Sequence, residues 1–201
     1  NSLLPASHSE IAEDARIAGV IGEIDVALNE LLDNAQLTNK PLLVCSGGTS
    51  SRCAADGHLT LDLRKCCQQL EYDPITKEVQ LGAGNTMGKL INELSSQGRS
   101  FPTGLSGTTG IGYILTGGIS PLSRTQGLAI DQILRISGVW GNGEPFNISK
   151  PNVSSDSDVQ LKWRGLCGGA PFLGIVTKMT LKTHSLTPIN ILQAFINQEQ
   201  L

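Results

Sequence analysis

Apolar residues recur at three- and four-residue spacing through the first part of the chain, as they do in an amphipathic helix. Leu28 and Leu31 belong to the clearest such stripe, which predicts a helix over residues 23–39. A shorter helix with a serine N-cap is predicted over residues 9–18. The run Pro-Leu-Leu-Val-Cys at residues 41–45 has the length and the continuous apolarity of a buried strand.

The middle of the chain is predicted to form strands separated by turns. Leucines alternate with polar residues over residues 59–63, which predicts a strand. A hairpin is predicted from residues 69–72 and 78–81, because an Asp-Pro turn lies between them. A helix is predicted over residues 86–97, with Thr86 as its N-cap and a glycine directly after it. Its buried stripe is predicted to be Met87, Leu90, Ile91 and Leu94.

The last third of the chain mixes both kinds of element, so the fold class is predicted to be α+β. In order, it is predicted to contain a short helix over residues 121–126, a hairpin of residues 130–140 and 144–148, a helix over residues 154–166 and a strand over residues 174–182. The pattern changes after residue 187. We therefore expect residues 1–185 to form one domain, and residues 186–201 to begin a substrate domain or to form a C-terminal tail.

The composition excludes several classes of function. The 201 residues carry a net charge of −3 and only 4% aromatic side chains, so nucleic acid is not expected as a partner. The five cysteines are an odd number without a CxxC pair, which favours reduced thiols and predicts no metal site. No apolar run approaches the length of a membrane span, and no leader pattern is present, so a cytoplasmic protein without a membrane partner is expected.

The first glycine-rich loop, residues 46–51, directly follows the first predicted strand. It consists of Ser46, Gly47, Gly48, Thr49, Ser50 and Ser51. Glycine tolerates positive φ, and consecutive N–H groups turned inward form a concave anion site to which hydroxyls add donors. One interpretation is therefore a cradle for phosphate or pyrophosphate. The other is a plain turn between strands, because glycine and serine are also ordinary turn residues.

Two further glycine-rich segments follow. Residues 101–119 form a Gly-, Ser- and Thr-rich stretch too long for a simple turn, which predicts a ligand-facing loop. Residues 82–88 lie between a strand and a helix and resemble a dinucleotide fingerprint. The third glycine comes one place late, and no acidic residue follows at the spacing that would hold a ribose. A tight turn that caps the helix is the better interpretation, and a nicotinamide-dependent enzyme is the weaker alternative.

Several short motifs in fixed order carry a family resemblance. They are the Ser-Gly-Gly-Thr-Ser-Ser loop, Leu-Asp-Leu-Arg at residues 61–64, Leu-Gly-Ala-Gly at 81–84, Phe-Pro-Thr-Gly at 101–104, the Gly-Ile-Gly-Tyr and Thr-Gly-Gly runs within 110–118, Leu-Ser-Arg-Thr-Gln-Gly-Leu-Ala-Ile-Asp at 122–131 and Gly-Ile-Val-Thr at 174–177. Together they resemble the FAD-binding domain of the vanillyl-alcohol oxidase and p-cresol methylhydroxylase (PCMH-type) family. The nearest branch is that of the berberine-bridge-like and sugar oxidases.

The resemblance implies two α+β subdomains with FAD between them. It implies that the pyrophosphate lies on the loop from Ser46 to Ser51. It implies that the pyrophosphate, ribityl and flavin side is lined by Ser106, Gly107, Thr108, Thr109, Gly112, Tyr113, Gly117 and Gly118. It also implies that the adenosine end lies near Gly174, Ile175 and Val176.

Departures from the family pattern shape the expected chemistry. Many relatives carry a histidine at the position of Thr49, and some a cysteine at the position of Ser106, and these side chains bond covalently to the flavin. Neither nucleophile is present here, so non-covalent FAD is expected. Leu166-Cys167 and Ile119 also differ from the family's usual residues.

The resemblance implies a flavin-dependent oxidoreductase acting on an alcohol-type or sugar-like small molecule. Its relatives carry a further domain that covers the flavin and supplies the substrate pocket, so no catalytic residue is nominated in this chain. The alternative is a degenerate flavin fold with an interaction or scaffold role.

Overall fold

The computed structural model describes residues 40–51, 53–186 and 188. The helices predicted over residues 9–18 and 23–39 lie outside this part of the chain, and so does most of the predicted tail. Within it, helices and strands are mixed, which confirms the α+β class.

The first two strands form a small parallel pair. β1 (Leu42–Cys45) lies beside β2 (Leu59–Asp62), with Leu42 opposite Leu59. Parallel strands need a crossover connection rather than a tight turn. The connection from β1 to β2 is therefore a crossover rather than a hairpin turn. The prediction of a buried β1 is only partly right, because Val44 exposes 40% of its surface.

The larger sheet has five strands, and every neighbouring pair in it is antiparallel. In spatial order it contains β3 (Leu70–Asp73), β4 (Glu78–Gly82), β8 (Gly174–Lys182), β6 (Ile133–Trp140) and β7 (Pro145–Ser149). Both predicted hairpins are present. The second begins at Ile133 rather than residue 130, because a 3₁₀ turn (Ala129–Gln132) precedes it. Two short strands, β5 (Arg99–Ser100) and β9 (His184–Ser185), form a separate antiparallel sheet.

Four α-helices connect these strands within the described residues. They are α1 (Met87–Ser96), α2 (Gly112–Leu115), α3 (Ser123–Gln126) and α4 (Ser157–Leu173). Thr86 caps α1 by accepting a hydrogen bond from the Lys89 N–H at 3.5 Å, as predicted. Its buried face contains Met87, Leu90 and Leu94. Ile91 was predicted to share that face and is 37% exposed, because it lies at the edge of the stripe.

The last helix is longer than its sequence pattern indicates. Asp156 caps its N-terminus, and its backbone is non-helical at Cys167 and Gly168, where Gly168 has φ +107°. The helix was predicted to end at residue 166, but the chain resumes helical geometry after Gly168 and continues to Leu173. The interruption is thus a kink of two residues.

Side chains from the five-stranded sheet and α1 form the main hydrophobic core. A separate, smaller cluster lies where β2 meets β4, β6 and β8, and consists of Leu61, Leu63, Cys67, Ala83, Val139 and Ile175. This smaller cluster fixes the end of the parallel pair against the large sheet. It thereby holds the loop that follows β1 next to the large sheet.

Candidate cofactor site

Ser46 anchors the first glycine loop where β1 ends. Its hydroxyl donates to the Ala83 carbonyl at 2.6 Å and accepts from the Gly112 N–H at 3.3 Å. One side chain therefore ties the loop to the end of β4 and to the start of α2. The sequence alone did not single out Ala83, whose contribution is a backbone carbonyl.

Gly47 crosses Gly110 of the second glycine-rich segment at very short range. A Cβ built on either glycine would overlap backbone atoms of the other. Only two glycines permit this approach, and it brings the loops that follow β1 and β5 together. Gly110 was predicted to belong to the long ligand-facing stretch of residues 101–119.

Within residues 40–51 and 53–186, three consecutive backbone N–H groups at the start of the first loop have no recorded acceptor, those of Gly47, Gly48 and Thr49. Gly48 has φ +71°, and Gly48 and Thr49 are exposed. Consecutive N–H groups around a left-handed residue form an anion-binding concavity. We call residues 47–49 the cradle.

The hydroxyl residues after the cradle form its outer rim. Thr49, Ser50 and Ser51 are all exposed. The Ser50 carbonyl accepts hydrogen bonds from the backbone N–H of Cys53 at 3.3 Å and from its thiol at 2.8 Å. These bonds close a turn, so the rim is held by its own backbone.

An ion pair lies beside the cradle. Arg64 donates from Nε to Asp62 Oδ1 at 2.8 Å and from Nη2 to Oδ2 at 2.6 Å. The hydrogen bond to Asp62 raises the pKa of Arg64, so the guanidinium stays charged. Burial, followed by the nearby Asp62 carboxylate, raises the pKa of Cys45 to about 11, so this thiol is neutral near pH 7.

An apolar cavity of about 300 Å³ opens next to Ser46. Its walls come from β1, β8, α2 and the second half of α4. The lining residues are Leu42, Leu43, Val44, Ser46, Leu63, Ala83, Gly112, Leu115, Ala170, Pro171, Gly174, Ile175, Val176 and Met179. The structure thus brings five predicted site residues together on one cavity, and the cradle begins at its rim.

The second glycine-rich loop rests on the N-terminus of α1. The N–H groups of Met87 and Gly88 donate to the carbonyls of Thr109 and Gly107, both at 2.8 Å. Ser106 and Thr108 share a hydrogen bond of 2.9 Å between their hydroxyls and are exposed. The loop is therefore fixed by α1, and this is how Gly110 reaches Gly47.

Tyr113, Gly117 and Gly118 are among the predicted site residues that lie apart from the cavity lining. The carbonyls of Gly117 and Gly118 accept from Ile130 and Ala129 at 3.0 Å, and the Tyr113 hydroxyl donates to the Ile119 carbonyl at 2.9 Å. Tyr113 also packs on Gly104, where a Cβ would lie 3.3 Å from the ring. In this structure these groups hold the segment after α2 in place.

In the fingerprint-like segment 82–88, backbone N–H groups are bonded to carbonyls of this chain. The N–H groups of Gly82 and Gly84 donate to the carbonyls of Gln69 and Cys67, both at 2.8 Å. A Cβ on Gly84 would overlap the Leu63 carbonyl. This segment is a tight turn that caps α1, as the better interpretation of the sequence had it.

The described part of the chain contains no group of three His, Cys, Asp or Glu side chains that could hold a metal ion. None of the five cysteines forms a disulfide within the described residues. His58 contacts the Asp56 carbonyl at 3.0 Å and His184 contacts Gln132 at 2.9 Å, so both have structural partners.

Comparison with known proteins shows which family the chain belongs to. A family model described as "FAD binding domain" matches residues 25–149. The chain belongs to the FAD binding domain family. FAD is the cofactor of this family, and the predicted PCMH-type, berberine-bridge-like resemblance is confirmed.

Relatives of this FAD binding domain are oxidoreductases. The chain is 31% identical over 157 residues to the FAD-linked oxidoreductase janO of Penicillium janthinellum, covering 77% of this chain and 34% of the relative. Among solved structures, it resembles 6-hydroxy-D-nicotine oxidase from Arthrobacter nicotinovorans, with a TM-score of 0.71 and 25% identity over 79% of this chain and 34% of that one. It also resembles the berberine-bridge-like enzyme 1 of Physcomitrella patens, with a TM-score of 0.70 and 28% identity over 80% of this chain and 35% of that one. The chain spans about a third of the length of the curated relatives it matches.

The geometry of the FAD binding domain fits its cofactor. FAD carries a charged pyrophosphate between two flat ring systems. Within the described residues the cradle offers three N–H donors without recorded acceptors, and any Cβ at Gly47 would close the space between the loops. The apolar cavity starts beside it. No helix within the described residues is long and apolar enough to cross a membrane.

Proposed function

We propose that this chain is the FAD-holding part of a flavin-dependent oxidoreductase whose substrate-binding part lies outside the sequence given. The observation that carries the proposal is the cradle, where consecutive N–H groups at Gly47, Gly48 and Thr49 have no recorded acceptor in the described chain. A pyrophosphate is the ligand that such donors suit, because fixed N–H dipoles bind anions without reorganising.

Each part of the site has a separate task. The cradle binds the pyrophosphate, and Ser46 keeps it aligned with the ends of β4 and α2. The cavity wall at Gly174, Ile175 and Val176 takes the adenosine end in an apolar environment that excludes water. FAD, when bound, supplies the hydride acceptor for oxidation of an alcohol-type or sugar-like substrate and passes electrons to oxygen or another acceptor.

The FAD is held without a covalent bond in this proposal. The side chains at positions 49 and 106 are hydroxyls, which are weak nucleophiles without an activating base. The buried thiol nearest to position 49 in the sequence is Cys45. It is 1% exposed, and its pKa is raised to about 11. Retention therefore depends on non-covalent contacts.

The test is an absorbance spectrum of the purified protein saturated with FAD, taken before and after acid precipitation. Flavin bands that move into the supernatant are the expected result. Flavin that stays with the precipitate would contradict the non-covalent assignment. Absence of binding at high FAD concentration would contradict the proposed function itself.

A non-catalytic role is the alternative, and one departure favours it. Ile119 stands where the family usually has glycine, and its side chain is 71% exposed next to Gly118. An interaction module would bind no flavin yet stay folded with a normal thermal midpoint. A folded protein that stays colourless in the same FAD experiment would support this alternative.

A further inference from the structure

Arg64 is held in one orientation by the carboxylate before it. Asp62 caps the 3₁₀ turn (Leu63–Lys65), accepting from the Arg64 backbone N–H at 3.1 Å as well as from Nε and Nη2. Asp62 exposes only 7% of its surface. Bidentate pairing with a buried carboxylate fixes the plane of a guanidinium, so Arg64 is pre-oriented before any ligand arrives.

The third guanidinium nitrogen of Arg64 points at the cradle. A Cβ built on Gly48 would overlap Nη1, so this nitrogen lies directly against the Gly48 backbone. In residues 40–51 and 53–186, Nη1 has no recorded hydrogen-bond partner. The Arg64 side chain is 38% exposed, so the cradle face of the guanidinium is open to a ligand.

Charge also distinguishes this arrangement from an N–H cradle alone. The backbone donors of residues 47–49 carry only partial charges, whereas a pyrophosphate carries two full negative charges. Hydrogen bonds between a guanidinium and phosphate oxygens are charge-assisted and about twice as strong as neutral ones. Arg64 is thus placed to add a full positive charge to the partial charges of the cradle.

We propose that Arg64 binds the pyrophosphate of the cofactor through Nη1, and that Asp62 is a positioning residue that aims it at the cradle. The inference rests on the proposed function and deepens it by naming a side chain for the anion. Its alternative is a purely structural ion pair at the end of β2. A structural pair would change stability but not the dependence of cofactor affinity on salt or on the phosphate group.

The test compares dissociation constants for FAD, ADP and riboflavin among wild type, Arg64→Met, Arg64→Lys and Asp62→Asn. Lys65→Met is the matched control, because it removes one exposed positive charge at the next position. Arg64→Met is expected to weaken FAD and ADP binding about 10-fold or more, and Lys65→Met less than about twofold. Riboflavin, which has no phosphate, is expected to bind all variants alike.

Salt dependence supplies a second readout. Raising ionic strength screens a charge contact at an exposed site, so wild-type affinity for FAD should fall with added salt. Arg64→Met should show a flatter dependence, and Arg64→Lys should keep the slope with weaker binding, because an ammonium lacks the planar fork. Circular dichroism checks folding; should Arg64→Met unfold, Arg64→Lys and Asp62→Asn carry the same comparison.

Equal FAD and ADP affinities in wild type and a folded Arg64→Met would overturn the inference. Failure of the wild-type protein to bind FAD, with ADP binding that still depends on Arg64, would keep the phosphate contact and overturn the flavin assignment. Failure of wild type to bind either ligand would overturn both.

Discussion

Two glycine segments of this chain look alike in sequence and have opposite roles in the structure. Residues 46–51 and residues 82–88 each follow a strand and each place two glycines near a threonine. In the second, the N–H groups of Gly82 and Gly84 donate to the carbonyls of Gln69 and Cys67. In the first, the N–H groups of the cradle have no recorded acceptor in the described residues.

A glycine in the sequence indicates that another group comes close to the backbone, but it does not indicate which group. At Gly84 the neighbour is the Leu63 carbonyl of the same chain. At Gly48 the neighbour is the end of the Arg64 side chain, and the backbone is exposed. The hydrogen-bond partner of each backbone N–H distinguishes the two cases. A buried N–H needs a partner within the protein, whereas an exposed N–H can bond to solvent or to a ligand.

The largest expected effect comes from adding a methyl group at the packing glycine. Gly84→Ala would drive Cβ into the Leu63 carbonyl, which nothing nearby can relieve without moving the 3₁₀ turn. We expect a loss of about 3 kcal/mol in the free energy of unfolding. Gly169→Ala is the control, because no atom lies within 4 Å of its Cβ position. Denaturant unfolding of both variants measures the difference, and equal midpoints would refute the packing role.

The next effect is expected at the crossing of the two loops. Gly110→Ala would overlap the Gly47 backbone and separate the loops, so FAD affinity should fall about 10-fold with a stability loss of about 1–2 kcal/mol. Gly141→Ala meets only the Leu173 carbonyl at an ordinary 3.5 Å and serves as control. FAD titration together with thermal unfolding separates the two contributions. Unchanged FAD affinity in Gly110→Ala would show that the crossing does not shape the site.

A smaller effect distinguishes two thiols, Cys66 and Cys45. The hydrogen bond between Cys66 and Cys67, whose sulfurs are 3.7 Å apart, lowers the pKa of Cys66, whereas burial raises that of Cys45. Thiolates are the reactive form, so Cys66 should be alkylated by iodoacetamide before Cys45 at about pH 7.5. Peptide mass spectrometry at successive times gives the order. Earlier labelling of Cys45 would contradict the burial at the end of β1.

The smallest effect concerns pH and a histidine remote from both glycine segments. Burial, then the charges of Lys182 and Arg99, lowers the pKa of His184 from 6.5. Below about pH 6.5 the unfolded chain therefore takes up a proton that the folded chain resists, so stability falls as the pH falls. The thermal midpoint should drop between about pH 7.5 and 5.5, and less so in His184→Gln. An equal drop in both proteins would assign the pH dependence to other groups.

Local periodicity was enough to predict much of the scaffold. The cap at Thr86, the stripe of α1, both hairpins and β8 follow from short-range patterns of apolar and polar residues. The parallel pairing of β1 with β2 was not predicted, because it depends on contacts distant in sequence. The continuation of α4 past Cys167 was missed, because helical packing resumes after a kink that the sequence shows only as glycines.

The site was predicted only as far as its backbone chemistry. The cradle followed from the run of two glycines and three hydroxyl residues. The place of Arg64 was not predictable, because it lies 16 positions after Gly48 and reaches it only through the β1–β2 pairing. Gly110 was part of a long glycine-rich stretch in which no local signal marks the residue that crosses Gly47.

The most direct test of the cradle compares FAD affinity in wild type, Gly48→Val and Gly57→Val. Both glycines have nearly the same positive φ, +71° and +74°, so backbone strain is matched, whereas no atom lies within 4 Å of the Cβ position at Gly57. A branched side chain at position 48 resists this φ and fills the space of the phosphate. Gly48→Val is expected to lose FAD binding, and Gly57→Val is expected to keep near wild-type affinity. Wild-type affinity in a folded Gly48→Val would show that the cradle does not bind the pyrophosphate.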